Sequence, residues 1–557
     1  MSSISVPSTS DVIFTARLIR TANPARPVAR AIAVREGKVL AVGTLDECKE
    51  WGIENIDTQF ADKVLTAGFV EAHAHSMSGM YNTIPYVGWF GRHMPDGTWV
   101  DGIRSTDDLI MRVRSIAQST PSGQSIIVAG FDPIYMNSDR LDRFHLDNAS
   151  TDHPIFVFHA SAHLATVNSY LLNKYRITST TTAPGVGCSS DGEPNGELRE
   201  PAAMALAGDE YRFIGRTVTS QETFTHFGAA MRNAGITTVA DLGNLFYVSE
   251  ESRTSLAQIT SEPQFPIRVV STSRITGGVK EAQDTVPKIL ASRQHEHDKL
   301  FFPIVKLVLD GSIQGFTAVL QWPGYFSGED HGLFLTAPEQ VVDILRPFHE
   351  AKIGIHCHCN GDATSEVFIN AIESLLSEHS WLDHRHTITH AQLITSAQMR
   401  RARNLGMVAN FFVNHMFFWG DQHRHTTVGP DRAQHLNPCA TADRIGLNYS
   451  IHTDAPVTPP GHLHTMWAAV NRTTPTGAVL GESEQISIDR AFHAATIDAA
   501  YQLHLDHIVG SLEVGKYADM TVLDDDPYEV DKLAICDISV WGTVLGGVPQ
   551  PRPTPTS

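Results

Sequence analysis

Two histidines one residue apart close an apolar run in Leu65-Thr-Ala-Gly-Phe-Val-Glu-Ala-His73-Ala-His75. Residues i and i+2 of an extended strand leave the backbone on the same side, so both imidazoles would reach one point beyond the strand tip. Holding a metal cation is the chemistry such a pair can do, because imidazole nitrogen is a good ligand for divalent ions. With 28 histidines in the chain, the pair carries weight only if other ligand types stand at other strand ends. They do: His358 and His390 each close a further apolar run, and Asp454 follows another in His452-Thr453-Asp454. Lys306 lies between apolar neighbours in Val305-Lys-Leu-Val-Leu-Asp310, where a buried ammonium is costly unless neutralised or used. One reading is an ion pair with Asp310 or another carboxylate. The other is reaction with carbon dioxide to give an anionic carbamate that bridges two cations. Four histidines, one aspartate and the modified lysine would then serve two divalent metals.

The 557 residues that must place these groups are 42% hydrophobic and 18% charged, enough to build more than one core. The formal net charge of −19 argues against nucleic acid as a partner. The start lacks a basic segment followed by an apolar run, and no apolar stretch is long enough to span a bilayer, so a cytoplasmic location without membrane attachment is expected. Cys48, Cys188, Cys357, Cys359, Cys439 and Cys536 show no framework spacing, which predicts reduced thiols. Cys357 and Cys359 flank His358 and read as small buried residues rather than thiolate ligands.

Short alternating strands with turn signals fill both ends, and Glu36-Gly37 predicts a hairpin. A sheet shared by both termini is expected from residues 1–64 and 506–557. Between them, residues 65–505 alternate apolar runs with amphipathic helical segments, the pattern of an α/β fold with parallel strands. Strands are predicted at 65–70, 236–241, 267–273, 304–309, 353–358, 387–390, 407–411 and 448–452, and eight such units point to a closed (β/α)8 TIM barrel with its chemistry at the strand ends. Residues from about 86 to 213 break the repeat and are expected to form an inserted subdomain over the barrel mouth. The Pro-rich segment 549–557 is expected to be loose.

The set of motifs resembles the amidohydrolase superfamily, and within it the branch similar to N-substituted formamide deformylase and YtcJ-like proteins. The resemblance rests on Gly68-Phe-Val-Glu-Ala-His-Ala-His-Ser, Val305-Lys-Leu-Val-Leu-Asp-Gly-Ser-Ile-Gln-Gly-Phe-Thr-Ala, the His358-Cys-Asn-Gly-Asp and Thr389-His-Ala-Gln-Leu segments, His452-Thr-Asp-Ala-Pro-Val and Gly510-Ser-Leu-Glu-Val-Gly-Lys-Tyr-Ala-Asp, all in order along nearly the whole chain. It implies a distorted eight-stranded barrel joined to a small β-sandwich made from both termini. It further implies that His73, His75 and Asp454 hold one metal, that His358 and His390 hold a second, and that carboxylated Lys306 bridges them. Thr389 stands where many relatives have Glu, and Phe316 where many have Arg; both changes bear on the substrate and leave the ligands intact.

The activity so implied is metal-dependent hydrolysis of a C–N bond in a small-molecule amide, N-substituted formamide or cyclic amide. Zn2+ is the expected cofactor, as one ion or, with Lys306 carboxylated, two. A metal lowers the pKa of its water to near 7, and Asp454 would take the proton and pass it to the leaving nitrogen. The second metal or a histidine, His390, would polarise the carbonyl. His163 and Asn168 in the insertion, and His415 and Trp419 in the loop Asn414-His-Met-Phe-Phe-Trp-Gly-Asp-Gln-His423, are expected to touch substrate. Asp241, Asp310 and Asp362 are expected to support the histidines, while His423, His425 and His435 are expected to be solvated. A homodimer is the default assembly. The alternatives are a lyase using the same cradle and a metal-binding relative without turnover.

Overall fold

The computed structural model describes residues 11–94, 96–136, 140–160, 162, 164–243, 249–328 and 332–553. At the start of the chain, Glu36 and Gly37 both adopt positive φ (49° and 76°) and join strands Val28–Arg35 and Lys38–Gly43 in antiparallel register. Left-handed backbone at both turn positions matches the right-handed twist of the strands, and glycine takes it freely, so the hairpin forms where its turn signal lies. The two strands end an eight-stranded sheet drawn from both termini. Its order is Val548–Pro551, Val540–Leu545, Met520–Leu523, Val64–Ala67, Val12–Arg20, Val28–Arg35 and Lys38–Gly43, with Ile56–Asp57 beside Val12–Arg20. The termini meet where Val64–Ala67 pairs antiparallel with Met520–Leu523. The Pro-rich tail expected to be loose begins instead as a strand, with Pro549 opposite Val544 and Pro551 opposite Gly542. Proline is tolerated there because an edge strand needs hydrogen bonds on one side only.

Two parallel sheets carry the middle of the chain. Their main strands are β1 (Phe69–Ala74), β2 (Ile236–Asp241), β3 (Arg268–Ser271), β4 (Ser273–Ile275), β5 (Ile304–Val308), β6 (Gly354–Cys359), β7 (Thr387–His390), β8 (Val408–Phe411) and β9 (Tyr449–Ile451). One sheet runs Leu300–Phe301, β3, β2, β1; the other runs β4, β5, β6, β7, β8, β9. The strand expected over 267–273 is therefore two strands, broken at Thr272. The Thr272 hydroxyl donates to the Asp241 carbonyl (3.0 Å) and accepts from the Gly243 amide (2.7 Å), which lets each half pair with a different neighbour. Beyond β9, the Asp454 amide donates to the His73 carbonyl (3.0 Å) and the His75 amide to the Ala455 carbonyl (2.7 Å), tying that strand end to the end of β1.

The chain divides into two compact units, one made of the residues up to His75 with Met231–Pro553, the other of Ser76–Ala230. The second unit has its own five-stranded sheet, in the order Val186–Cys188, Pro194–Arg199, Leu164–Val167, Ile155–His159, Ile126–Phe131. Alternation along Ile155–His159 sends Phe156 and Phe158 into one apolar cluster and Ile155 and Val157 into another, so this sheet has a core on each face. All six cysteines are free thiols. Among the described residues, no helix is long and apolar enough to cross a membrane.

Candidate metal centre

All the groups that converge here belong to the first unit. On β6, alternation puts His356 and His358 on one side of the pleat and Cys357 and Cys359, both fully buried, on the other. The cysteines thus face away from His358 and serve as packing, as their small size suggests. Lys306 on β5 is in register with His356, so the two share a side. His390 ends β7 in register with Cys359, yet its imidazole Nε2 reaches His358 Nδ1 at 2.9 Å. Its left-handed backbone (φ 73°) redirects the side chain. Asp454 is likewise left-handed (φ 54°). Such a conformation costs a non-glycine residue about 1 kcal/mol or more, and it persists where surrounding contacts enforce it.

Glu71 supplies much of that enforcement. Its carboxyl group, fully buried on β1, accepts hydrogen bonds from the His73 amide (3.1 Å), the Thr453 amide (3.1 Å) and the Thr453 hydroxyl (2.6 Å). It therefore binds the strand that presents His73 to the loop that presents Asp454. Asp310, also fully buried, does similar work after β5, accepting from the amides of Val319, Asn360 and Gly361 and from the Thr364 hydroxyl.

The ligand atoms meet at two overlapping points. His73 Nε2 lies 3.4 Å from His75 Nε2 and 3.3 Å from Asp454 Oδ1, and His75 Nε2 lies 3.1 Å from Asp454 Oδ1. Despite these distances, Oδ1 accepts no aligned hydrogen bond. The three atoms instead surround a common position, and their spacing matches the roughly 3.0–3.4 Å between neighbouring ligands that bonds of about 2.1 Å to a divalent metal impose. His73, His390 and His452 form the second convergent group, with His390 Nδ1 3.1 Å from His452 Nε2. His358 joins through His390, and its own Nε2 lies 3.0 Å from the Gly311 carbonyl and 2.9 Å from Asn360 Nδ2, contacts that fix the orientation of the ring. Burial, reinforced by the Lys306 charge and neighbouring imidazoles, holds His73, His390 and His452 well below the usual imidazole range. These rings are neutral at neutral pH, the state that ligates metal. Burial lowers Lys306 to about 8, against the pull of Asp454, and raises Glu71 to about 8 against its hydrogen bonds to Thr453 and His73. Neutral buried imidazoles beside one carboxylate, with His73 Nδ1 and Lys306 Nζ lacking hydrogen-bond partners among the described residues, are a donor set that fits a divalent cation.

Of the six expected ligands, His73, His75, Asp454, His358 and His390 are brought into direct contact, while Lys306 shares a side of the sheet with His356 and lies near enough for the charge of Asp454 to act on it. Other expectations need correction. Lys306 makes no ion pair with Asp310, whose oxygens are taken by the amides and hydroxyl above. Asp362 accepts from the Gln321 amide and faces Arg432 instead of a histidine. His423 is fully buried, not solvated, and its Nε2 lies 2.9 Å from His415 Nδ1; His425 and His435 are exposed as expected. Asn168 is no substrate contact. Fully buried, it caps the helix Ser169–Lys174, accepting from the Leu171 and Ile155 amides and donating to the Ser150 and His153 carbonyls, which uses every polar atom it has. His163 lies outside the described residues. His415 and Trp419 are buried with ring centroids 4.4 Å apart, and Phe412 stands between His415 (4.4 Å) and His452 (4.8 Å). Sequence reasoning missed His452, Glu71 and Phe412. His452 closes a strand two residues before Asp454, and Glu71 is a charge inside an apolar strand; both were signals of the kind used for the other ligands.

Residues 61–550 match the model of the amidohydrolase family, and the chain belongs to that family. It is 25% identical over 554 residues to Protein LONG AFTER FAR-RED 3 of Arabidopsis thaliana, covering 97% of this chain and 91% of that one. It is 23% identical over 554 residues to the N-substituted formamide deformylase of Arthrobacter pascens, covering 95% and 96%, so the branch expected from the motifs is among its relatives. The crystal structure of an uncharacterized metal-dependent hydrolase from Pyrococcus horikoshii OT3 shares the fold, with a TM-score of 0.70 at 19% identity over 94% of this chain and 99% of that one.

Proposed function

We propose that the protein is a metal-dependent amidohydrolase that cleaves a C–N bond other than a peptide bond in a small amide or N-substituted formamide. The observation that carries this reading is the triangle of His73 Nε2, His75 Nε2 and Asp454 Oδ1, three ligand atoms from two strand ends with no aligned hydrogen bond to the carboxylate oxygen. Family membership and the deformylase relative support the choice of bond. The two parallel sheets, joined by the chain at Thr272 and bonded between His73 and Asp454, support a distorted closed barrel whose strand ends carry the site, with the sheet from both termini as its β-sandwich partner.

Zinc suits the nitrogen-rich donor set. A divalent cation in this cradle supplies Lewis acidity, polarising a carbonyl and acidifying water. The residues of the chain do the rest. The neutral rings of His73, His390 and His452 keep their lone pairs turned inward. Asp454 has Oδ1 between two imidazoles and Oδ2 to receive a proton and return it to the departing nitrogen. Glu71 and Thr453 hold Asp454 in its left-handed conformation. Lys306 Nζ, buried and without a hydrogen-bond partner among the described residues, is the nitrogen that reaction with carbon dioxide would convert to a carbamate, which would add an anionic ligand to the donor set.

The test pairs metal analysis of the purified protein with a panel of amides and formamides. Asp454→Asn should lower turnover by about 10²–10⁴-fold, the usual worth of a positioned acid–base group. Near-wild-type turnover in that variant would refute the proton-transfer role, and absence of bound metal from active protein would refute the whole reading.

A further inference from the structure

On β4, Arg274 is in register with Lys306 on β5, and matched residues of adjacent parallel strands project to the same side about 4.8 Å apart. The guanidinium therefore lies on the side of the sheet that bears the metal cradle, close enough for its charge to act on Lys306. Arg274 is exposed to solvent, yet burial by the surrounding protein lowers its pKa and no acid opposes the shift. The glycine after β2 lies beside it: a Cβ on Gly243 would stand 3.6 Å from Arg274 Cβ and Cδ. Other arginines of this unit show what a satisfied guanidinium looks like. Arg268 pairs with both oxygens of Asp519 at 2.7 and 2.9 Å, and Arg472 donates to three carbonyls. Arg274 has no ion pair and no hydrogen bond among the described residues. A five-donor fork on the same side of the sheet as Lys306 and left open is shaped to take a planar anion in two parallel bonds. The chain carries a net charge of −19, so an anionic substrate would need such a local cation to dock.

We propose that Arg274 is the carboxylate-binding residue of the substrate site, and that the substrate is an anionic amide of the N-acyl or N-formyl amino acid class. The proposal rests on the hydrolase reading above. In that reaction water adds across the acyl C–N bond, the acyl carbon leaves as a carboxylic acid and the nitrogen takes the proton; for a formyl group the products are formate and the free amino acid.

N-formylphenylalanine and N-formylphenethylamine differ only in the carboxylate, and comparing them in wild type and Arg274→Gln tests the assignment. Wild type should favour N-formylphenylalanine, and the ratio of the two kcat/KM values should fall by about 10–100-fold in R274Q, chiefly through KM, as loss of a charge-assisted bond predicts. Calorimetric titration with hippurate should show the same loss of affinity, with melting temperature and metal content unaltered. An unchanged substrate ratio, or equal hippurate affinity in the two proteins, would overturn the assignment. So would loss of metal together with equal loss on both substrates, which would make Arg274 a partner of a modified Lys306. If neither formamide nor any member of the amide panel is hydrolysed, the hydrolase reading fails by itself, and the hippurate titration alone decides whether Arg274 binds carboxylate.

Discussion

Replacing Thr453 by valine removes one hydroxyl from the buried contact that positions Asp454 and changes almost nothing else in shape. The hydroxyl donates to Glu71 Oε2 at 2.6 Å and accepts from the Ala455 amide at 3.3 Å. A hydrogen bond to a carboxyl group is worth about 1.5–3 kcal/mol when its partner is left buried, and the Ala455 amide adds about 0.5–1 kcal/mol, so the variant should be less stable by about 2–4 kcal/mol. The Thr453 amide still reaches Glu71 at 3.1 Å, so the loop is loosened rather than released. Asp454, next in the chain and strained at φ 54°, is the residue that gains freedom. Partners that orient metal ligands typically account for 10–100-fold in metal affinity, and this is the loss expected. The assay is retention of metal against a competing chelator, read beside the melting temperature, with Thr453→Ser as the control that restores the hydroxyl. Wild-type metal retention in Thr453→Val, or no recovery in Thr453→Ser, would refute the claim that the Glu71–Thr453 contact sets the position of Asp454.

Other outcomes follow from the same contacts. His452→Gln should reduce bound metal and turnover together, since the ring is one of three that converge with His73 and His390; full metal content would remove His452 from the ligand set. Asn168→Ala should cost about 3 kcal/mol, from a lost helix cap of about 1 kcal/mol and two or more buried groups left without partners. In a unit of roughly 150 residues this lowers its melting temperature by about 6–12 °C. An Asn168→Ala variant with raised KM and unaltered melting would restore the substrate-contact reading. Burial pushes Glu210 up, but bonds from Lys174 (2.8 Å), Ser125 (2.6 Å) and Tyr175 (2.8 Å) prevail and hold it below its ordinary value. A depressed carboxyl stabilises the fold above its unfolded pKa of about 4.3 and loses that contribution as pH falls through the folded value. Wild type should therefore lose stability on acidification more steeply than Glu210→Gln, and parallel pH profiles for the two would contradict this sign.

The local pattern of the chain determined more about the site than about its surroundings. His73 and His75 were readable because alternation along a strand is a property of the backbone alone, and the apolar run that ends in them needs no tertiary information. The hairpin at Glu36-Gly37 was readable for the same kind of reason, since its turn demands positive φ from two adjacent residues. His358, His390 and Asp454 were legible as strand-end residues, and resemblance to a family tied them to one place. Tertiary structure decided what depends on partners far along the chain. Thr272 interrupts a strand where its hydroxyl bonds both the Asp241 carbonyl and the Gly243 amide, partners some thirty residues earlier in the chain. Asn168 is a cap and a cross-link, not a binding residue, because Ser150, His153 and Ile155 surround it. His390 meets His358 through a left-handed turn that no strand pattern announces. Glu71 gained its role from a threonine 382 residues away. Sequence pattern reports the direction in which a side chain leaves its own element; which neighbour waits there is settled only when the elements pack.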